Sequence, residues 1–189
     1  MIKDLILQNR SYRRFHQDVA ISRETLRELV DLARLSPSAA NQQALKYVIS
    51  GDAEKNARIF PAVVWAAALP DWPGPEEGEK PSAYIIIVED TEIKQKFGVD
   101  HGIVAQSILL GAVEKGLGGC MIGSIRKDVL REAISLAPRY EITLVLALGK
   151  PKEKVVIEAM RPDGDVRYWR DSDKTHHVPK RALDEIILG

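Results

Sequence analysis

Apolar positions recur along the chain in two periods. Over "ISRETLRELVDLARLSPS" (21–38), Leu26, Leu29, Val30 and Ala33 fall at i, i+3, i+4 and i+7, the stripe of an amphipathic helix with Ser22 as N-cap and Pro37 ending it. Residues 2–9 read as a shorter helix, and "RKDVLREAISLA" (126–137) as another amphipathic one. "KYVIS" (46–50) and "AYIIIVED" (83–90), rich in β-branched and aromatic residues, suit buried strands. "GGCMIGS" (118–124) reads as strand and turn, and "YEITLVLALGK" (140–150) as the most apolar strand, closed by Pro151.

Three stretches depart from these patterns. "DHGIVAQSILLGAVEKG" (100–116) carries no Lys, Arg, Asp or Glu from His101 through Val113. A helix apolar nearly all round must be buried nearly all round, which is easier if a second subunit covers part of it. "FPAVVWAAALPDWPGPEEGEKP" (60–81) holds five of the ten prolines and two of the three tryptophans, and reads as a short helix, Val63 to Leu69, followed by a rigid surface loop. Residues 151–189 are polar with little periodicity. Their anchors Val155, Val156, Ile157, Tyr168, Trp169, Ile186, Ile187 and Leu188 argue for a wrapped tail rather than a disordered one. No repeat or linker divides the chain, so a single domain, 1–189, is expected.

Composition narrows the partners. With 45% apolar and 29% charged residues the chain is of the soluble globular class, and Lys+Arg equals Asp+Glu at 27 each, so no global field draws it to nucleic acid or membrane. "MIKDLILQNRSY" lacks the apolar core of a leader, and no apolar run approaches the ~20 residues that span a bilayer, so a cytoplasmic protein is expected. One cysteine rules out an internal disulfide framework, and four histidines without ligand spacing leave no metal centre expected.

Any anion must therefore be held locally, and "NRSYRRF" (9–15) is the densest cationic segment. If the first helix runs into it, Arg10, Arg13 and Arg14 converge on one face beside the Ser11 hydroxyl, a face suited to a phosphate; the alternative is a solvated cationic edge. A second basic knot, "HHVPKRAL", holds Lys180 and Arg181. "GLGGCMIGS" fails both nucleotide-loop patterns: counting from Gly116 the sixth position is Met121, and no lysine follows Gly123. What remains is either a strand end whose backbone N–H groups can meet a flat ligand or a tight turn under a helix. Asn41 and Gln43 of "SPSAANQQ" could read a heterocycle edge or simply populate a polar loop. Cys120, in an apolar strand without a neighbouring base, reads better as a small core residue than as a nucleophile, and Asp100 as a helix cap rather than the acid/base partner of His101.

Taken in order, "NRSYRRF", "SPSAANQQ", "DHGIVAQSILLGAVEKGLGGCMIGS", "LALGKP" and "VPKR" resemble the motifs of the FMN-dependent nitroreductase family along nearly the whole chain. The resemblance implies an α+β fold, an α/β/α sandwich with a mostly antiparallel sheet flanked by helices, in an intertwined homodimer with FMN at the subunit interface. It further implies that Arg10, Arg13, Lys180 and Arg181 hold the FMN phosphate and that Ser11 reaches the flavin pyrimidine edge. Pro37, Ser38 and Asn41 would come from the partner chain, and Ile122, Gly123 and Ser124 would lie along the ring with an N–H near N5. The implied activity is NAD(P)H oxidation with hydride transfer through flavin N5, in alternation with a nitroaromatic or quinone acceptor and with no side chain needed as acid or base. Alternatives are a flavoenzyme for a dedicated metabolite, by ene reduction or dehalogenation, and a flavin-binding module without turnover. Three departures stand out: Asn9 replaces the first arginine of the family pair, Ala44 and Leu45 replace its Pro-Trp, and the 70–81 loop has its own character.

Overall fold

In chain order the elements are helix α1 (Ile2–Gln8), strand β1 (Phe15–His16), α2 (Arg23–Leu35), β2 (Leu45–Ser50), α3 (Ala53–Ile59), β3 (Ala83–Asp90), α4 (Asp100–Glu114), β4 (Gly118–Ile122), α5 (Lys127–Ala133), β5 (Tyr140–Pro151), β6 (Val155–Ala159), β7 (Trp169–Arg170), β8 (His176–Lys180) and α6 (Leu183–Ile186). They come from a computed structural model that describes residues 1–66, 68–93 and 98–189.

The main sheet runs β2-β3-β5-β4 with every pair antiparallel, and β1 joins the end of β5, Phe15 opposite Pro151. Period-2 alternation divides its side chains between two cores. Ile85, Ile87, Leu146 and Leu148 pack with Leu26, Leu29 and Ala33 of α2 and with Val104, Ala105 and Ile108 of α4. Tyr84, Ile86, Val88, Val145 and Ala147 pack on the opposite face with Ile59, Ala62, Trp65 and Leu130. A strand covered on both faces needs apolar residues at consecutive positions, which is why β3 is buried along its full length. Each fully buried aliphatic side chain contributes about 1.5–3 kcal/mol, so the two cores dominate the fold's stability. The α+β sandwich of helices on a mostly antiparallel sheet is the expected one.

Local departures have identifiable causes. The helix expected from Val63 to Leu69 is absent from its described residues: a 3-10 turn occupies Phe60–Ala62, Val63 bridges Ile125, and Ala66 adopts φ +40°. Backbone groups that a helix would need are bonded elsewhere, Val64 N–H to the Ser124 carbonyl at 2.9 Å and the Ala62 carbonyl to Arg126 N–H at 2.8 Å. Ala67, within the expected helix, lies outside the described residues. The following loop is not merely superficial, since Gly74 and Pro75 are buried and the Trp65 ring lies against Gly74. Val99, not Asp100, occupies the N-cap of α4; the buried Asp100 carboxylate instead accepts from Ala39 N–H at 3.1 and 3.3 Å. One side of α4 is open, with Gly102, Ile103 and Gln106 exposed. The tail forms a second sheet, β6 parallel to β8 and β7 antiparallel to it, while Ile186, Ile187 and Leu188 stay exposed.

Candidate functional site

Helix α1 ends at Gln8, and its last carbonyls are taken by the residues that follow: Arg10 Nη2 donates to Ile6 O at 2.7 Å and Tyr12 OH to Gln8 O at 3.0 Å. The chain then lies beside β4 through a parallel bridge between Ser11 and Gly119. Consecutive arginines diverge from there. Arg14 is buried against Glu79, which Lys152 also reaches at 3.1 Å; the Arg14 hydrogen bonds hold the Glu79 carboxyl down to about 2. Arg13 points to the other side, 4.8 Å over the Tyr168 ring, with Nη1 3.3 Å from His176 Nε2. The backbone N–H of Arg13 donates to the buried Glu153 carboxylate, which also accepts from Arg170 Nη2 at 3.0 Å.

Strand β8 supplies the rest by its alternation. His176, Val178 and Lys180 share one face and line a cavity of about 280 Å³ with Asn9, Arg10, Ser11 and Arg13. His177 lies on the other face, stacked on Trp169 at 4.0 Å and bonded to Glu158 at 3.0 Å and Asp171 at 3.2 Å. His176 is 1% exposed; burial, then Arg13, lowers its pKa to about 4. An arginine only donates, so Nε2 is the accepting nitrogen and Nδ1 carries the proton. That Nδ1 and Arg10 Nε are buried without a hydrogen-bond partner among the described residues.

Arg13 and Tyr168 also border a second cavity of about 150 Å³, bounded by Trp65 and by Cys120 through Ser124. At Gly123 an added Cβ would meet nothing within 4 Å, so the end of β4 is an open ledge of backbone. The two cavities together offer three cations and a hydroxyl at one end and a flat, backbone-lined shelf at the other, a shape for a ligand with an anionic head and a planar body. Cys120 is 3% exposed and burial raises its thiol pKa, the environment of a small core residue rather than a nucleophile.

Of the residues singled out in the sequence, Arg10, Ser11, Arg13 and Lys180 line the first cavity, and Ile122, Gly123 and Ser124 the second. Arg181 does not line either; it leaves the face of His176 and Lys180 and pairs with Glu185. Pro37, Ser38 and Asn41 stand apart from both cavities. Ser38 borders a separate hollow of about 210 Å³ with Gln43 and Tyr47, and Asn41 sits in a turn at φ +53°. His176, Tyr168 and Trp65 join the site without a marker of their own in the local sequence. For His176 the signal is spacing: with 176–180 as a strand, it sits four residues, and so one face, from Lys180.

The family model described as "Nitroreductase family" matches residues 6–150. A Bacillus subtilis (strain 168) protein named "Putative NAD(P)H nitroreductase YodC" is 27% identical, over 88% of this chain and 97% of its own. Two solved structures share the fold. An FMN-dependent nitroreductase from Clostridium difficile R20291 has a TM-score of 0.65 at 23% identity, over 82% of this chain and 89% of its own. A nitroreductase family protein from Streptococcus pneumoniae TIGR4 has a TM-score of 0.71 at 17% identity, over 100% of both chains.

Proposed function

The chain belongs to the nitroreductase family, and on that premise we propose that it is an FMN-dependent NAD(P)H oxidoreductase. One observation carries the reading: Arg10, Ser11 and Arg13 from one end of the chain and Lys180 from the other line a single cavity that adjoins the Ile122–Ser124 ledge. The residues fit FMN. A nearly dianionic phosphate matches the three cations, the Ser11 hydroxyl and the free N–H groups of His176 Nδ1 and Arg10 Nε. A planar ring system matches the ledge, where Gly123 leaves open space.

When bound, FMN supplies hydride exchange between NAD(P)H and an electron-poor acceptor, of the nitroaromatic or quinone type. The chain's part is position and electrostatics. Backbone N–H groups at 122–124 and the Arg13 guanidinium favour negative charge on whatever lies along the ledge, and Trp65 and Tyr168 wall it from water. We further infer a homodimer in which Pro37, Ser38 and Asn41 of one protomer complete the site of the other. This is supported by the apolar surface left open at Ile6 and Leu7 of α1, Ile103 of α4 and Ile186–Leu188.

Absorbance of the purified protein, followed by anaerobic titration with NADH and NADPH, tests the reading. Flavin bands bleached by a nicotinamide and restored by a nitroaromatic or quinone support it; a colourless protein without affinity for added FMN refutes it. A second reading, a dedicated metabolite as acceptor, is favoured by Trp65, which brings the unusual 60–81 segment into the wall of the ledge cavity. Fast bleaching with no turnover on a broad acceptor panel would select it.

A further inference from the structure

We propose a second ligand site, independent of the FMN reading, in the cavity of about 370 Å³ between α3, the entry to β3 and the 77–81 loop, for a small neutral molecule with an N–H donor beside a carbonyl, the edge of a cyclic amide. The volume lies in the range of small-molecule pockets. Ala53, Asn56 and Ala57 contribute one helical face, Ser82 just before β3 and Tyr84 within it the strand side, and Phe60 and Pro81 the apolar wall.

Three of the residues lining it carry a polar atom of an unusual kind. Asn56 Oδ1, Ser82 Oγ and Tyr84 OH are buried without a hydrogen-bond partner among the described residues, on side chains 8%, 9% and 1% exposed. Each such group costs about 1–3 kcal/mol if left unmet, so three around one cavity are accounted for by a ligand that meets them. Their chemistry defines that ligand. Asn56 Nδ2 donates to the Ser82 carbonyl at 2.8 Å, which fixes Oδ1 as an acceptor in need of a donor. Burial raises the Tyr84 pKa, so its hydroxyl stays protonated and, with Ser82, can donate to a carbonyl.

The charged side chains of the lining balance one another, which favours a neutral ligand. The Lys80 ammonium is engaged by Glu77 Oε2 at 2.7 Å and lies 4.9 Å over the Phe60 ring, and Glu77 is engaged by Lys80 and Gln17. The 77–81 loop is held by other contacts: Gln17 Oε1 accepts from Gly78 N–H at 2.8 Å and Lys80 N–H at 3.1 Å, and Arg14 pins Glu79. This cavity and the one beside the Ile122–Ser124 ledge share an aromatic partition, since Phe60 on this side lies 5.9 Å from Trp65 on the other.

The test is amide-resolved NMR titration of the purified protein with 2-pyridone, with and without FMN, so that an absence of flavin binding and an absence of pyridone binding read out separately. Saturable shifts confined to residues 51–57 and 80–84 are expected, with about tenfold weaker binding for N-methyl-2-pyridone, which lacks the donor. Tyr84→Phe and Ser82→Ala remove only unpartnered hydroxyls, so both should fold, and together should weaken binding about tenfold. Absence of saturable shifts at those residues, as for a merely hydrated cavity, overturns the proposal. So do shifts confined to the Gly123 ledge, equal affinity for the N-methyl compound, or affinity unchanged in the double variant.

Discussion

Arg13 and His176, 163 positions apart in sequence, meet at 3.3 Å between guanidinium Nη1 and imidazole Nε2. A cation beside a buried imidazole keeps the imidazole neutral, and a neutral imidazole can accept from the cation through one nitrogen while the other keeps its proton. The pair therefore sets a charged and a neutral side chain together in the lining of one cavity.

Arg13→Ala and Lys180→Ala should each weaken FMN binding by about 1.5–3 kcal/mol, the range for a charge-assisted contact, without loss of fold. Arg181→Ala should weaken it less, because that side chain is paired with Glu185 outside the cavity. Fluorescence titration with FMN measures all three; the opposite ranking of Lys180 and Arg181 would contradict the placement.

The two adjacent histidines should have opposite effects on acid stability. The folded-state pKa of His176 is lowered to about 4 from 6.5, so between these values the unfolded chain binds a proton that the folded chain refuses, and stability falls as pH falls. The pKa of His177 is raised by Asp171 and then Glu158, so it adds stability below pH 6.5 that is lost as pH rises through its folded value. In urea melts of FMN-free protein at pH 7 and pH 5, His176→Gln should lose less stability than the parent and His177→Gln more. Equal losses in all three would refute the assignment.

Two glycines of one strand-turn should separate folding from binding. A Cβ at Gly119 would lie 2.7 Å from the Ala147 carbonyl oxygen and 2.7 Å from Leu109 Cδ2, so Gly119→Ala should destabilise by about 1–3 kcal/mol through overpacking. Gly123→Val enters open space and should leave the melting temperature within a few degrees while reducing FMN affinity at least about tenfold, read as loss of flavin absorbance on gel filtration.

Glu153 has a side chain 0% exposed and bonds both the Arg13 backbone and Arg170, whose side chain is 14% exposed. Glu153→Ala leaves a buried guanidinium without its carboxylate and should destabilise by about 3–5 kcal/mol. A denaturant midpoint close to that of the parent would show that water replaces the carboxylate.

What the residues announce and what they conceal follows from range. Helix α2 and strands β3 and β5 are read correctly because their burial is imposed by the patterns they themselves carry, down to the Ser22 hydroxyl accepting from Thr25 N–H at 3.0 Å; β2 is a strand as expected but only half-buried, at the edge of the sheet. The segment from Val63 misleads because its local preference is helical while its backbone bonds are claimed by residues 124–126, sixty or more positions later. Strand β8 is hidden for a related reason: its partner β6 is parallel and separated from it by an irregular stretch, and neither carries strong alternation. Reading Lys180 and Arg181 as equivalent cations follows directly from missing that strand. The N-terminal fork is visible as chemistry, but only the fold sends Arg13 to the cavity and Arg14 to Glu79.

The cationic cavity is bordered by Asn9, Arg10, Ser11 and Arg13 on one side and by Tyr168, His176 and Lys180 on the other. During synthesis its first wall leaves the ribosome long before its second, which forms only once β8 can pair with β6 and β7. A nascent chain thus carries an exposed basic segment whose proposed phosphate seat stays open until residues 168–180 have emerged, and cofactor capture would follow strand β8 rather than the first arginines.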